Sequence, residues 1–185
     1  YRMRPTADHR PFVRYEGAPL FAPGTMKEPL APNRLRWDPP GDLPRGKDFI
    51  DGMVTMLANR DPSELEGVAV HLYRAERSME HRLFVSADGE LLIIPQAGTL
   101  HLFTEFGCVD VPPATVAVVP RGVKFRVAVD GDSRGYVAEN HGSPLRLPEL
   151  GPIGANGLAN PRDFETPVAW FEDKDEPTEV IQKSL

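Results

Sequence analysis

Short apolar runs alternate with turn residues through the middle of the chain. Between positions 82 and 129 the runs are RLFV (82–85), ELLII (90–94), TLHLFT (99–104), CVDV (108–111), TVAVV (115–119) and VKFRVAV (123–129). SADG (86–89), QAG (96–98), FG (106–107), PP (112–113) and PRG (120–122) break them. Each run is rich in β-branched and aromatic residues and too short for a stable helix. In the last run Val123, Phe125, Val127 and Val129 alternate with Lys124, Arg126 and Ala128. A period of two puts the first set on one face, so Phe125 is expected to point inward. Asp88-Gly89 is a hairpin signal, because Gly takes positive φ at no steric cost. Two further strands frame the region. In 68–74 Val68, Val70 and Leu72 share one face and Ala69, His71 and Tyr73 the other; 134–139 closes the set. Many short strands at this spacing predict an all-β domain, a jelly-roll barrel or sandwich.

The flanks read differently. Residues 1–44 carry nine prolines, which forbid long helices and central strands, so an extended arm across the core is expected. Within it Trp37 reads as a packing anchor. The stretch DFIDGMVTMLAN (48–59) carries two patterns. Phe49, Met53, Met56 and Leu57 fit a helical stripe capped by Asp48, whereas Gly52, Val54 and Thr55 fit a strand, and the β-branched pair tips the reading to strand. After 139 the chain turns Gly- and Pro-rich. GPIGANG (151–157) spaces its glycines by three, without the strand and helix that a dinucleotide site requires. Asn156 and Asn160 suit capping of local backbone groups. One strand, 167–171, is expected in the acidic tail. The resulting division is an arm and lead-in at 1–66, a barrel core at 67–140, and a loop and tail at 141–185.

At 185 residues the chain can bury a sizeable core as one domain. A net charge of −6 argues against nucleic acid as a partner. No apolar run reaches the ~20 residues of a membrane span. Cys108 is the single cysteine, so a reducing, cytoplasmic setting and a buried, inert thiol are expected. Position 1 is Tyr, and the start reads as internal to a longer frame. Charge is uneven: residues 1–60 hold ten basic and seven acidic groups, residues 165–185 two and six. These ends can meet within a fold or between subunits, or remain solvated surface.

A jelly roll with Gly-rich turns invites a search for the cupin metal motifs. Pro120-Arg121-Gly122 is the turn of the second motif, but Phe125 stands at its His position. Glu90 and Gly98 can end the first motif, yet Leu83, Phe84, Val85 and Ser86 stand where its His pair belongs. The chain therefore looks like a cupin-type barrel without its metal site. The histidines His9, His71, His81, His101 and His141 show no metal spacing, although His71 and His101 sit on separate strands and could face each other. Glu80 and His81 are neighbours that a strand would point apart. Ser78, Ser86 and Ser133 lack a nucleophile context, and Asp88, Glu90 and Asp110 sit near turns. No catalytic, cofactor-binding or metal residue is assigned.

One resemblance runs through nearly the whole chain. Tyr1-Arg-Met-Arg-Pro, Asn33-Arg-Leu-Arg-Trp, Asp48-Phe-Ile-Asp-Gly, Ser78-Met-Glu-His-Arg, Asp88-Gly-Glu-Leu-Leu-Ile-Ile-Pro-Gln, Thr104-Glu-Phe-Gly, Pro120-Arg-Gly, Arg134-Gly-Tyr and the long string from Gly151 to Phe164 carry it. The chain resembles the N-terminal half of the homogentisate 1,2-dioxygenases. The resemblance implies a parent enzyme that opens the ring of homogentisate with O₂ in tyrosine and phenylalanine breakdown. Its Fe(II), held by two His and a Glu, is implied to lie in the other half, so no iron is expected on this chain. It further implies a homo-oligomer, trimer or hexamer. The arm and the loop 151–164 become candidates for an interface or for bracing the catalytic half, against plain loop packing. The alternative is a free-standing cupin-like binding or assembly module.

Overall fold

Strands dominate the computed structural model, which describes residues 8–17, 32–33, 36, 41–60, 62–149, 151, 153 and 159–184. They are β1 (Met53–Asn59), β2 (Val68–Ala75), β3 (Arg82–Ser86), β4 (Glu90–Ala97), β5 (Leu100–Thr104), β6 (Gly107–Val111), β7 (Ala117–Val119), β8 (Phe125–Val129), β9 (Ser133–Asn140) and β10 (Glu179–Lys183). Helix is confined, among the described residues, to 3₁₀ turns at Pro62–Glu64 and Pro161–Asp163. Two five-stranded sheets result: sheet I in the order β1-β2-β9-β4-β7 and sheet II in the order β10-β3-β8-β5-β6. This is the jelly-roll sandwich expected from the run and turn spacing, and 53–59 is a strand.

The order corrects the reading of Asp88-Gly89. β3 belongs to sheet II and β4 to sheet I, so residues 87–89 cross between sheets and close no hairpin. Gly89 serves a different need. A Cβ there would lie 2.6 Å from the Asn140 carbonyl oxygen and 2.9 Å from Glu139 Cγ, so close approach requires glycine.

The tail is corrected as well. Residues 167–171 form no strand; Val168 makes a single antiparallel bridge to Cys108. The strand comes later, where β10 pairs in parallel with β3, Ile181 opposite Phe84 and Lys183 opposite Ser86. Residues 165–178 therefore run as a strap over the outer face of sheet II, from the β6 edge to the β3 edge. Trp170 packs on Phe103, Arg126 lies over the Phe103 ring at 4.3 Å, and Glu172 accepts from Arg126 at 2.6 Å. With β1 in sheet I and β10 in sheet II, the sandwich reaches beyond the expected 67–140 at both ends. Cys108 is half-buried rather than buried. Trp37, Asn156 and residues 152 and 154–158 of the loop lie outside the described residues. Asn160 does cap local backbone, accepting from the Arg162 N–H at 3.1 Å.

One core fills the space between the sheets, with Phe49, Tyr73, Phe84, Ile93, Leu102, Phe125 and Val137 among its members. Phe125 is fully buried and shares the interior with Val123 and Val127, as the alternation requires; Val129 is partly buried. On β2 the inward set is Ala69, His71, Tyr73 and Ala75, and the more apolar Val68, Val70 and Leu72 take the outer side.

Candidate functional site

The interior has two layers. The first is aromatic and takes in Phe125, which stands at the His position of the second cupin motif. Phe84 on β3 and Phe125 on β8 are direct cross-strand partners, and their rings meet edge to face, 5.8 Å apart at 88°. Phe49 stands 6.3 Å from Phe125. Aromatic rings prefer this arrangement, and a layer so filled offers hydrocarbon in place of ligand nitrogen.

The second layer lies two residues further along β3, where Ser86 points inward, and it is polar. Alternation on β9 turns Ser133, Gly135, Val137 and Glu139 to the inside, so a fully buried carboxylate follows from register. Glu139 Oε1 accepts from the Ser86 hydroxyl at 2.7 Å. Glu139 Oε2 lies 3.0 Å from Lys183 Nζ on β10, 3.4 Å from His71 Nε2 on β2 and 3.5 Å from His141 Nε2. Lys183 also reaches Asp88 Oδ2 at 2.6 Å, and His71 Nδ1 meets Thr55 Oγ1 of β1 at 2.9 Å. Burial pushes the Glu139 carboxyl up, but the His71 bond, the Lys183 charge and the Ser86 bond outweigh it and hold it at about 2. His141 is fully buried, its main chain fixed by Gly67 and Arg121, while neither ring nitrogen has a hydrogen-bond partner among the described residues.

This layer keeps one carboxylate ionised inside the sandwich. It does not activate a nucleophile, because Ser86 donates to the carboxylate and not to a histidine. Sequence reasoning passed over Glu139 and Lys183. For Glu139 a signal existed, since the β9 alternation continues through it. For Lys183 there was none, because β10 was not foreseen.

Elsewhere the histidines stay apart. His71 is buried in sheet I, whereas His101 lies on the outer face of sheet II between Asp110 at 2.7 Å and Asp130 at 3.1 Å, so the two do not face each other. The bond to Asp110, then that to Asp130, raises the His101 pKa. His81 has a positive φ of 51° just before β3 and pairs with Glu176 at 3.2 Å. His9 bonds its neighbour's carbonyl, and its ring stands 5.0 Å from that of Phe12. Ser78 bonds the Val129 main chain, and Ser133 meets the Tyr73 hydroxyl.

Arg82 gathers the arm, the lead-in and β10. It donates to Asp48 at 2.7 Å, Asp51 at 3.0 Å and the Tyr15 hydroxyl at 2.6 Å, with Glu179 3.5 Å from Nε. Burial and the bond to Asp51 push Tyr15 up to about 12. Burial favours a higher Asp51 pKa, but the bonds from Tyr15 and Arg82 leave it lowered. A cleft of about 400 Å³ beside Arg82, under the strap, has Arg126 and Lys174 sharing Glu172 and His81 held by Glu176. Arg126, Lys174 and His81 are thus each paired with a carboxylate of the same cleft.

Compared with known proteins, the whole chain, residues 1–185, matches the family model described as homogentisate 1,2-dioxygenase N-terminal. The chain belongs to that family. Solved structures similar to this homogentisate dioxygenase N-terminal chain include a cupin-2 domain protein from Shewanella frigidimarina, at 18% identity over 40% of this chain and 70% of the other, TM-score 0.36. A cupin superfamily protein from Desulfitobacterium hafniense is 18% identical over 48% and 76%, TM-score 0.39. An RmlC-like cupin from Methanocaldococcus jannaschii, with a double-stranded β-helix fold, is 13% identical over 60% and 92%, TM-score 0.39.

Membership raises the iron that the family resemblance implies, and the polar layer is the place to test it, since it holds two histidines and a glutamate. The donor set does not fit. Both imidazoles contact the same oxygen of Glu139, and that oxygen already carries the Lys183 ammonium. A lysine cation against the carboxylate repels a second cation, and among the described residues no three ligating side chains converge on a metal position. No helix of the described residues is long and apolar enough to cross a membrane.

Proposed function

We propose that this chain is the N-terminal scaffold portion of an iron(II)-dependent homogentisate 1,2-dioxygenase, and that it neither holds iron nor turns over substrate by itself. The parent enzyme opens the homogentisate ring with O₂ in cytoplasmic tyrosine and phenylalanine breakdown, and this half supports its assembly as a trimer or hexamer. The observation that carries the reading is the Phe84–Phe125 pair. Metal affinity needs several donors converging in fixed geometry, and Phe125, packed edge to face on Phe84, stands at the His position of the second cupin motif. The Lys183 ammonium on Glu139 acts in the same direction.

The test is to express residues 1–185, add ferrous iron without oxygen, desalt, and measure bound metal, then follow oxygen uptake with homogentisate. Sub-stoichiometric iron that washes out, and no uptake, are expected. Stoichiometric iron that disappears in a His71→Ala or His101→Ala variant, or turnover by the chain, would overturn the reading.

A further inference from the structure

Exposed apolar side chains gather at one flank of sheet II. Phe106, at the β5–β6 turn, is 67% exposed, and Val168 and Phe171 of the strap are 69% and 82% exposed. The backbone bridge between Cys108 and Val168 brings turn and strap together. Trp170 rests on Phe103 and is still 41% exposed. Exposed Glu165 and Asp173 border these residues along the strap. Apolar surface with a charged border is the composition of an interface.

The same chain carries a segment of opposite character. Residues 10–14 read RPFVR, are described without helix or strand, and are exposed throughout. Phe12 and Val13 are 61% and 87% exposed, and Arg10 and Arg14 flank them. Tyr15 is tied to Arg82 at 2.6 Å, so the segment leaves the barrel from a fixed point. Pro11 limits the freedom that docking would remove. The charge asymmetry of the chain follows the same division, with its basic excess in 1–60 and its acidic excess in 165–185.

We propose that residues 10–14 of one copy dock on the Phe106–Val168–Phe171 patch of a second copy, with Arg10 and Arg14 against Glu165 and Asp173. This rests on the reading of the chain as an oligomeric scaffold, and it names the surface that assembles it. Phe12 and Val13 supply the buried centre and the charges the border. Opposite charge speeds encounter and selects orientation. Each copy offers one arm and one patch, which are different surfaces. The contact is therefore head-to-tail, and it is completed when the copies close into a ring.

The test uses two variants of this 185-residue chain, Val13→Cys and Phe171→Cys, each in a Cys108→Ser background that removes the chain's own cysteine. Mixed and oxidised, they should give a disulfide-linked pair joining position 13 of one chain to position 171 of the other, identified by peptide mass. Separately, Arg10→Glu with Arg14→Glu should weaken assembly at least about tenfold in sedimentation. Adding Glu165→Arg with Asp173→Arg should restore it, with the far-ultraviolet spectrum unchanged throughout. Assembly unaffected by the reversal, with no cross-link, would overturn this surface and leave the oligomeric reading standing. A protein that stays monomeric at every concentration would overturn both. A link forming only within one chain that carries both cysteines would show the arm folding back on its own barrel, and would overturn exchange between copies.

Discussion

Replacing Lys183 by Met should be among the most damaging single changes in this sandwich. Met keeps the length of the aliphatic stem and removes the charge. The ammonium lies 3.0 Å from Glu139 and 2.6 Å from Asp88. Glu139 is fully buried and Asp88 nearly so, but Asp88 sits in the β3–β4 crossover and Lys183 is itself slightly exposed. The cost therefore falls mainly on Glu139. Its carboxyl is held at about 2 against an ordinary 4.5. At about 1.4 kcal/mol for each pH unit, that difference amounts to about 3 kcal/mol of folding free energy at neutral pH, shared among His71, Lys183 and Ser86. Removing one partner of a buried pair also strands the other charge, for which measured losses are about 3–5 kcal/mol. Lys183→Met should then destabilise by about 3 kcal/mol in denaturant melts at pH 7. Glu139→Gln added to it removes the stranded charge, so the double variant should recover about 2 kcal/mol of that loss. A loss below about 1 kcal/mol for the single variant, or strictly additive effects, would show that the ammonium does not compensate Glu139 and would refute the reasoning.

Phe125→Ala should cost about 3–5 kcal/mol in the same melts, since it empties the centre of the aromatic layer; a loss below about 1 kcal/mol would contradict the β8 register. Glu139 has a lowered folded-state pKa, so its contribution is present above pH 4.5 and is lost as the pH falls toward about 2. Glu139→Gln should flatten the stability profile across that acid window, and an unchanged profile would contradict this. His101 has a raised pKa, so its contribution is present below its ordinary value of 6.5 and fades as the pH rises through the folded value. The ring is partly solvated and its carboxylate partners are exposed, so His101→Gln should cost less than about 1 kcal/mol. An NMR titration midpoint at or below 6.5 would be inconsistent with the Asp110 and Asp130 contacts. Gly89→Ala should destabilise by about 1–3 kcal/mol, because the new methyl meets the Asn140 main chain; a neutral result would mean that the crossover can shift.

Strand positions were legible in the sequence because they are local. Val123, Phe125 and Val127 alternate with polar residues, and a two-residue period admits one inward face whatever the sheet does next. Family membership was legible too, in strings such as that from Gly151 to Phe164, as was Phe125 at the His position of the cupin turn motif. Which strands pair was not. Ser86-Ala87-Asp88-Gly89 has hairpin composition, yet composition cannot say whether the next strand returns to the same sheet or crosses to the other, since loop closure costs nearly the same either way. β10 is the clearest case. Glu179–Lys183 has weak strand character and buries only Ile181 well; it becomes a strand because the β3 edge offers unpaired backbone groups and Glu139 offers Lys183 a buried counter-charge. The polar layer depends on that pairing. Ser86, Glu139 and Lys183 are far apart in sequence, and long-range pairing alone decides that they share one interior. The sequence by itself determined the strands, the inward residues and the family. The tertiary structure decided the sheet order, and with it that the charge of a buried glutamate is balanced by a lysine from the far end of the chain.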